Sequence, residues 1–136
     1  MNDTLFATQQ AVMNALNAST EIRTLLGNPP AIYDHVPPNA IFPYVVFGTT
    51  QILPHDTKTE IGFEQIITLD IWSRYRGGKE ARDIFQAIYN TLHRAALSVS
   101  GQVFLSCEFH SADFITENDG LTTQATLRFS LLTQST

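Results

Sequence analysis

The sequence has few charged residues, a single cysteine and no long apolar run, and each shortage excludes a class of protein. One cysteine, Cys107, rules out an internal disulfide and a cysteine-rich zinc site. No run of 18 or more apolar residues is present, and no basic start leads into an apolar stretch, so we expect neither a membrane-spanning helix nor a secretory signal peptide. We therefore expect a protein that folds in the cytoplasm.

Charge is both scarce and net negative. Charged residues make up 15% of the chain, whereas an ordinary globular domain carries about 25%. The net charge is −5, which argues against free binding to nucleic acid, because such binders present a basic face. A surface with few charges is explained either by burial against partner subunits or by abundant threonine and other uncharged polar residues, and composition leaves both explanations open.

The apolar pattern predicts one α+β domain over residues 1–136. Helices are predicted over residues 4–17, 20–26 and 79–94, a short extended piece over 31–36, strands over 43–51 and 63–73, and a final hairpin turning at Asn118-Asp119-Gly120. Two hairpins separated by a helix indicate a sheet of four or five mainly antiparallel strands with helices packed on one face.

Alternation along the strands assigns side chains to the two faces of that sheet. The residues predicted to face the helices are Ile67, Leu69, Ile71, Val103, Leu105, Cys107, Leu127 and Phe129, and those predicted on the opposite face are Thr68, Asp70, Glu108 and Arg128. Glu108 and Arg128 should lie opposite each other and form a cross-strand ion pair.

Periodicity also assigns roles within the helices. The apolar stripe of the first helix comprises Leu5, Phe6, Val12, Met13 and Leu16, with Asp3 as the predicted N-cap. His93 and Arg94 are placed in the last turn of the third helix, where the helix dipole favours cations.

No combination of residues predicts catalysis, cofactor binding or metal binding. His35, His55, His93 and His110 are scattered without the spacing of metal ligands. Cys107 and His110 point to opposite faces of a regular strand, so they cannot form a reactive pair unless a bulge intervenes. The Gly77-Gly78-Lys79 segment lacks the frame of a phosphate-binding loop.

Two segments are better candidates for contacts with other proteins. The connection from Thr49 to Gly62 is longer than a hairpin needs, so we expect a loop that is mobile alone and ordered against a partner. Its candidate contact residues are His55, Asp56, Thr57, Lys58, Thr59 and Glu60. A basic cluster includes Arg74, Arg76, Lys79 and Arg82, of which Arg74 and Arg76 are candidates for subunit pairing; a solvated face is the alternative.

Four short motifs occur in a fixed order along the chain. They are Tyr33-Asp34-His35-Val36-Pro37, Phe42-Pro43-Tyr44-Val45, Asp56-Thr57-Lys58-Thr59 and Trp72-Ser73-Arg74. In this order and spacing the chain resembles the tail-completion (tail-terminator) proteins of long-tailed bacteriophages and of the related gene transfer agents. The resemblance covers roughly residues 5 to 132.

The resemblance implies a structural protein of the virion tail, assembled in the cytoplasm of the bacterial host. In that family subunits form a ring, typically of six, at the head-proximal end of the tail, where the ring stops tube growth and docks the head. The implied partners are further copies of the chain, the tail tube protein and head–tail connector proteins, with DNA passing through the lumen without specific binding and no membrane contact. The alternatives are a small cytoplasmic enzyme or ligand-binding dimer, and another head–tail completion or minor tail protein.

Overall fold

The computed structural model of the chain describes residues 4–75 and 78–135. Its elements are α1 (Thr4–Ala18), α2 (Thr20–Leu26), β1 (Ile32–Tyr33), β2 (Tyr44–Pro54), β3 (Gly62–Ser73), α3 (Lys79–Leu92), β4 (Gln102–Thr116) and β5 (Thr123–Ser135). The five strands form one sheet in the order β1-β2-β3-β5-β4, antiparallel throughout except between β1 and β2. The predicted α+β fold is confirmed.

The helices cover one face of the sheet, and the core lies between the two layers. Helix α3 contacts β3, β4 and β5, while α1 and α2 pack against α3. Strand β3 buries every second residue in this core, including Ile67, Leu69 and Ile71, as predicted. The same alternation on β5 buries Leu127 and Phe129. Removal of this apolar surface from water is the main stabilisation available to the domain.

Local chemistry sets the bounds of α2 where the sequence predicted them. The Ser19 hydroxyl accepts a hydrogen bond from the backbone N–H of Ile22 at 3.2 Å, which caps the first turn. Gly27 ends the helix with φ at 97°, a conformation that glycine adopts without steric cost. Its N–H donates to the Arg23 carbonyl at 2.9 Å.

The end of α3 differs from the prediction. The helix stops at Leu92, and Arg94 has φ at 59°, so His93 and Arg94 lie beyond the last turn rather than in it. His93 Nδ1 accepts a hydrogen bond from the Phe109 N–H at 3.0 Å, and the Arg94 N–H donates to the Cys107 carbonyl at 2.7 Å. These two residues therefore join the helix end to the outer edge of β4.

The apolar stripe predicted for α1 is wrong at its first turn. Leu5 and Phe6 are 45% and 63% exposed. The residues of α1 that are buried are Thr8, Ala11, Val12 and Leu16. The Thr8 hydroxyl accepts a hydrogen bond from Gln65 Nε2 at 2.9 Å, so this part of the helix is held to β3 by a polar contact. The predicted N-cap, Asp3, lies outside the described residues.

Two β-bulges in β4 explain the remaining errors of the predicted faces. The first lies between Phe104 and Ser106 and turns Phe104 toward the core, so Val103 and Leu105 are 44% and 43% exposed instead of buried. A bulge adds one residue to one strand, and alternation in the sequence carries no signal for it.

The second bulge of β4 lies between Phe109 and Ser111 and shifts the partner of Arg128. Glu108 is opposite Ser130, and Arg128 is opposite Ser111, so the predicted ion pair between Glu108 and Arg128 is wrong. Arg128 Nη1 instead lies 3.0 Å from Asp113 Oδ2 and donates to the Ser111 hydroxyl at 3.1 Å.

Burial of one sheet face predicts unequal effects of substitution at neighbouring positions of β3. Leu69 is fully buried, so Leu69→Ala should lower the free energy of unfolding by roughly 2–5 kcal/mol, through lost burial and the cavity left behind. Thr68 lies on the uncovered face, and Thr68→Ser should change stability little. Urea titration of both variants checks the assignment; equal losses would mean that both faces are covered.

Candidate assembly surfaces

The connection between β2 and β3 is a short turn at the end of these two strands, where β5 still pairs with β3. Strand β2 continues to Pro54 and β3 begins at Gly62, so the loop predicted from Thr49 to Gly62 is wrong in extent and spans residues 55–61. The Thr57 N–H donates to the Glu60 carbonyl at 2.9 Å, and Asp56 Oδ1 accepts from the Gly62 N–H at 3.0 Å. The turn is therefore closed by its own hydrogen bonds.

Gly62 is required at the base of this turn. A Cβ at that position would collide with the backbone carbonyl of His55, so no other residue fits without a backbone shift. The candidate contact residues 55–60 are all exposed at the tip.

Arg74 lies at the opposite end of β3 from the turn at residues 55–61. Its Nε donates to the Thr122 hydroxyl at 3.1 Å, and its guanidinium carbon lies 4.3 Å from the centre of the Phe42 ring. The second basic candidate, Arg76, lies outside the described residues. Because β3 has 12 residues, roughly 35 Å separates the two predicted contact regions. The structure therefore places them at opposite ends of the domain instead of in one site.

Large apolar side chains are exposed at the same two ends. We define the hairpin end by the turn between β2 and β3, and the turn end by the β4–β5 turn. At the hairpin end the exposed apolar residues are Leu5, Phe6, Ile52, Ile61, Val103 and Leu105. At the turn end they are Val36, Ile41, Tyr75, Phe114, Ile115 and Leu121. Exposed apolar surface that is gathered in one place is common at sites of protein contact.

The apolar exposure at the turn end was not predicted from the sequence. Ile41 is 81% exposed on the loop before β2, and Tyr75, 59% exposed, follows β3. A lone apolar residue in a polar loop was the available signal, but such residues are common on protein surfaces. Only the fold shows that these residues converge on one end.

The sheet face opposite the helices carries an excess of carboxylates, interspersed with half-buried apolar side chains such as Ile66, Trp72 and Leu132. On the described strands its charged groups are the carboxylates of Glu64, Asp70, Glu108 and Asp113 and the guanidinium of Arg128. Hydroxyl groups hold two of the carboxylates: Ser130 donates to Glu64 at 2.6 Å, and Thr126 donates to Asp70 at 2.9 Å. This open face is therefore fixed in conformation and carries net negative charge.

Strand β2 comes close to this acidic face at Gly48. A Cβ there would lie 2.9 Å from Asp70 Oδ2, so the absence of a side chain leaves room for the carboxylate. A shallow depression of about 370 Å³, lined in part by Asp70, Thr126 and Arg128, results at this point.

The thiol and histidine candidates do not form a reactive site. Cys107 is buried, and burial, with a smaller contribution from the charge of Glu108, raises the pKa of its thiol to about 12. The thiol therefore stays protonated at neutral pH. His110 occupies a bulge of β4 but is exposed, away from the buried sulfur.

Within residues 4–75 and 78–135, no three histidine, cysteine, aspartate or glutamate side chains are placed to share a metal ion. None of the helices in that part of the chain has the length and apolar character needed to cross a bilayer.

The β4–β5 turn at the turn end is held together by one carboxylate. Asp119 accepts hydrogen bonds from the N–H of Thr122 at 2.8 Å, the N–H of Leu121 at 2.9 Å and the Thr122 hydroxyl at 2.7 Å. These bonds, the one from the Thr122 N–H foremost, lower the pKa of Asp119 to about 2. Because Thr122 also binds Arg74, this turn positions the basic side chain.

Comparison with known proteins places the chain in a family. The family model described as tail completion protein gp17 matches residues 10–134. The chain therefore belongs to the tail completion protein gp17 family, which confirms the family predicted from its motifs. The chain is 31% identical to the tail completion protein gp17 of Bacillus phage SPP1 over 84 residues, an alignment that spans 60% of each protein.

Two solved structures share the fold. A chain in the virion of a native gene transfer agent particle has a TM-score of 0.89, with 23% identity over 99% of this chain and 100% of that chain. The gp17 protein of bacteriophage SPP1 has a TM-score of 0.62, with 22% identity over 93% of this chain and 90% of that chain. The whole described architecture is thus one that occurs in a virion particle and in a phage protein.

The depressed pKa of Asp119 predicts a pH-dependent contribution to stability. A carboxylate with a pKa near 2 in the folded state and near 4 when unfolded stabilises the fold above about pH 4, and that contribution disappears as the pH falls toward 2. Asp119→Asn should therefore lower the Tm at pH 7 and have little effect at pH 2. Asp34→Asn, in an exposed loop, is the matched control. An Asp119→Asn deficit of the same size at both pH values would contradict this role.

Proposed function

We propose that this protein is a structural ring subunit that terminates the tail tube of a phage or gene transfer agent and joins it to the head. One observation carries the proposal beyond family membership. The exposed apolar side chains divide between two opposite ends of the domain, so one subunit has two separate docking surfaces. A protein that links two different assemblies needs such an arrangement.

The two ends also differ in their polar groups. At the hairpin end the exposed charges of Asp56, Lys58 and Glu60 alternate in sign. Alternating charges pair with a complementary pattern across an interface and determine register more than affinity. At the turn end, the cation Arg74 is supported by Thr122 and Phe42. The difference suits two unlike partners, the tail tube protein and a head–tail connector protein, at the head-proximal end of the tail.

We assign the open sheet face to the lumen of the ring. Its carboxylates outnumber its one guanidinium, and Arg128 is already paired with Asp113. A wall of this kind repels the phosphate backbone, so DNA passes without being bound. The helix-covered side then forms the outer surface of the ring. In this role the protein performs no catalysis, needs no cofactor and is assembled in the host cytoplasm.

A charge placed on each end tests the two-ended docking. Ile61→Asp disrupts the hairpin end and Ile41→Asp the turn end; both side chains are more than half exposed, so folding should be preserved. One variant should fail to stop tube growth, and the other should cap tubes that do not join heads. Tail length and head attachment in electron micrographs distinguish these outcomes.

Gln86→Asp, on the exposed side of α3, is the control for the end variants and should behave as the unsubstituted protein. If the variants at both ends cap tubes and join heads normally, the two ends are not docking surfaces. If both lose the same single step, the two partners do not occupy opposite ends.

Reversal of one charge on the open face tests its assignment to the lumen. Glu108 is exposed on that face, and Glu108→Lys should make capped tubes retain double-stranded DNA in a salt-dependent manner, because a cation then contacts phosphate. Glu21→Lys, on helix α2, makes the same change of charge on the outside. DNA release from capped tubes, measured over a range of salt, should slow only for Glu108→Lys. Equal retention by both variants would remove this face from the lumen.

A further inference from the structure

The sheet ends in two strand segments whose outer sides have no backbone partner in the described structure. We define the β2 edge segment as residues 50–54 and the β4 edge segment as residues 111–116. Strand β1 pairs with β2 only at Val45 and Val46, and the end of α3 occupies the edge of β4 only at Cys107 and Phe109. Across residues 4–75 and 78–135, no other backbone group reaches the outer side of either segment. Free N–H and C=O groups in a row are a template for another strand.

Neither edge segment carries the charged residues that usually protect such an edge. The β2 edge segment has no charged side chain, and its Ile52 is 41% exposed. The β4 edge segment exposes Phe114 and Ile115, and its one charged residue, Asp113, is paired inward with Arg128. Monomeric proteins protect their edges with lysine or another charge, with proline, or with bulges. Here proline occurs only at Pro54, the last residue of β2, and the bulges lie outside both segments. These two segments are therefore suited to receive a strand.

We propose that the β2 edge segment of one copy pairs with the β4 edge segment of the next copy, so that the sheets are continuous around the ring. The proposal rests on the proposed function and names the contact that closes the ring. Strand β2 runs in the opposite direction to β4, because the three pairings that connect them (β2 with β3, β3 with β5, β5 with β4) are all antiparallel. Cyclic symmetry preserves strand direction, so the contact between copies is antiparallel.

Charge favours this pairing over pairing of like segments. Two β4 edge segments paired antiparallel about their centres would bring Asp113 of both copies together, and like charges across a strand pair are destabilising. Strand β2 has no charged residue from Tyr44 to Pro54, so Asp113 meets no like charge there. Pairing of two different segments is also the heterologous contact that generates a ring, whereas pairing of like segments stops at a dimer.

The positions of the two segments along the strands agree with a closed ring. Directly opposed residues of an antiparallel pair point to the same face. Ile52 is on the helix side of the sheet, as are Ala112 and Phe114. Thr116 is also on this side, but opposing it to Ile52 would leave part of each segment unpaired. Ile52 of one copy therefore opposes either Ala112 or Phe114 of the next copy.

Each of these two registers gives a strand tilt, relative to the ring axis, that β-barrels adopt. Each edge residue can be assigned a height along β3 by following the strand pairings across the sheet. Ile52 pairs with Gln65, whereas Ala112 and Phe114 correspond, through β5, to Leu69 and Ile71. The offset is thus four or six residues, roughly 13 or 20 Å, across four strands that span roughly 19 Å. The strand tilt is then roughly 35° or 45°, the range in which sheets close into barrels. All copies can consequently lie at one height around the axis.

The resulting barrel would have a channel lined by the open acidic face. Six copies, the number typical of the family, contribute about 24 strands, more than the 16–18 strands that already leave an aqueous channel. At the usual strand spacing and this tilt, the barrel is roughly 50 Å across. Ile52, Phe114 and Ile115 then lie in the contact between copies, and the other exposed apolar residues of the hairpin end and the turn end remain free on its two rims.

Engineered disulfides test the pairing and its register. Gln51 is on the open face, and it opposes Asp113 in one register and Ile115 in the other. The double variants Gln51→Cys/Asp113→Cys and Gln51→Cys/Ile115→Cys are assembled on purified tubes and oxidised. One of them should give a ladder of linked copies that ends at the mass of the closed ring, in denaturing gels without reductant. Buried Cys107 does not compete for oxidation.

The controls separate this contact from the proposed function. Gln10→Cys/Gln86→Cys places two exposed thiols on helices and should give no ladder. If neither edge variant forms a ladder while the unsubstituted protein still caps tubes, edge pairing is wrong and the proposed function stands. The edge pairing is also overturned if a variant with only one of the introduced cysteines forms disulfide-linked dimers while the double variants form no ladder, or if the introduced cysteines link to the tube protein. If the unsubstituted protein caps no tubes, the proposed function fails and this contact fails with it.

Discussion

The packing of α3 against the central strands is the contact on which the rest of the structure depends. Ile84 and Ile88 of α3 are fully buried with Leu69 of β3 and Leu127 of β5. Because all three helices gather on this side, the sheet is covered once and not twice. The opposite face, both long edges and both ends of the domain are left for solvent or for partners. Every surface proposed for assembly is a consequence of that one-sided coverage.

One-sided coverage also makes a small domain suitable as a building block. Each uncovered surface has its own chemistry: acidic on the open face, uncharged along β2, and apolar at the hairpin and turn ends. Distinct surfaces allow several contacts to form at once, and simultaneous contacts reinforce one another. The low charge content, which composition alone could explain in two ways, agrees with surfaces reserved for contact with other subunits.

The sequence predicted best where the chain is regular and covered on one side. Strand β3 has a partner on each side and no irregularity in its pairing with β5, so its alternation identified Leu69 and Ile71 as core residues. Prediction failed on β4, because bulges at Leu105 and His110 change which residues face the core. The order of apolar and polar residues does not reveal a bulge. It also failed over residues 49–54, where no side chain of β2 is buried and no core face imposes alternation.

The candidate contact residues show a similar division. Polar residues 55–60 were predicted as candidate contact residues, and the structure places them at an exposed tip. That Arg74 lies at the other end of β3 depends on strand direction and length, which motifs do not record. Electron cryomicroscopy of capped tube ends, at a resolution that traces strands, would show how each subunit is oriented in the ring. We expect a closed ring with the open sheet face toward the lumen and the hairpin and turn ends on opposite rims; helices lining the lumen, or both ends on one rim, would contradict this orientation.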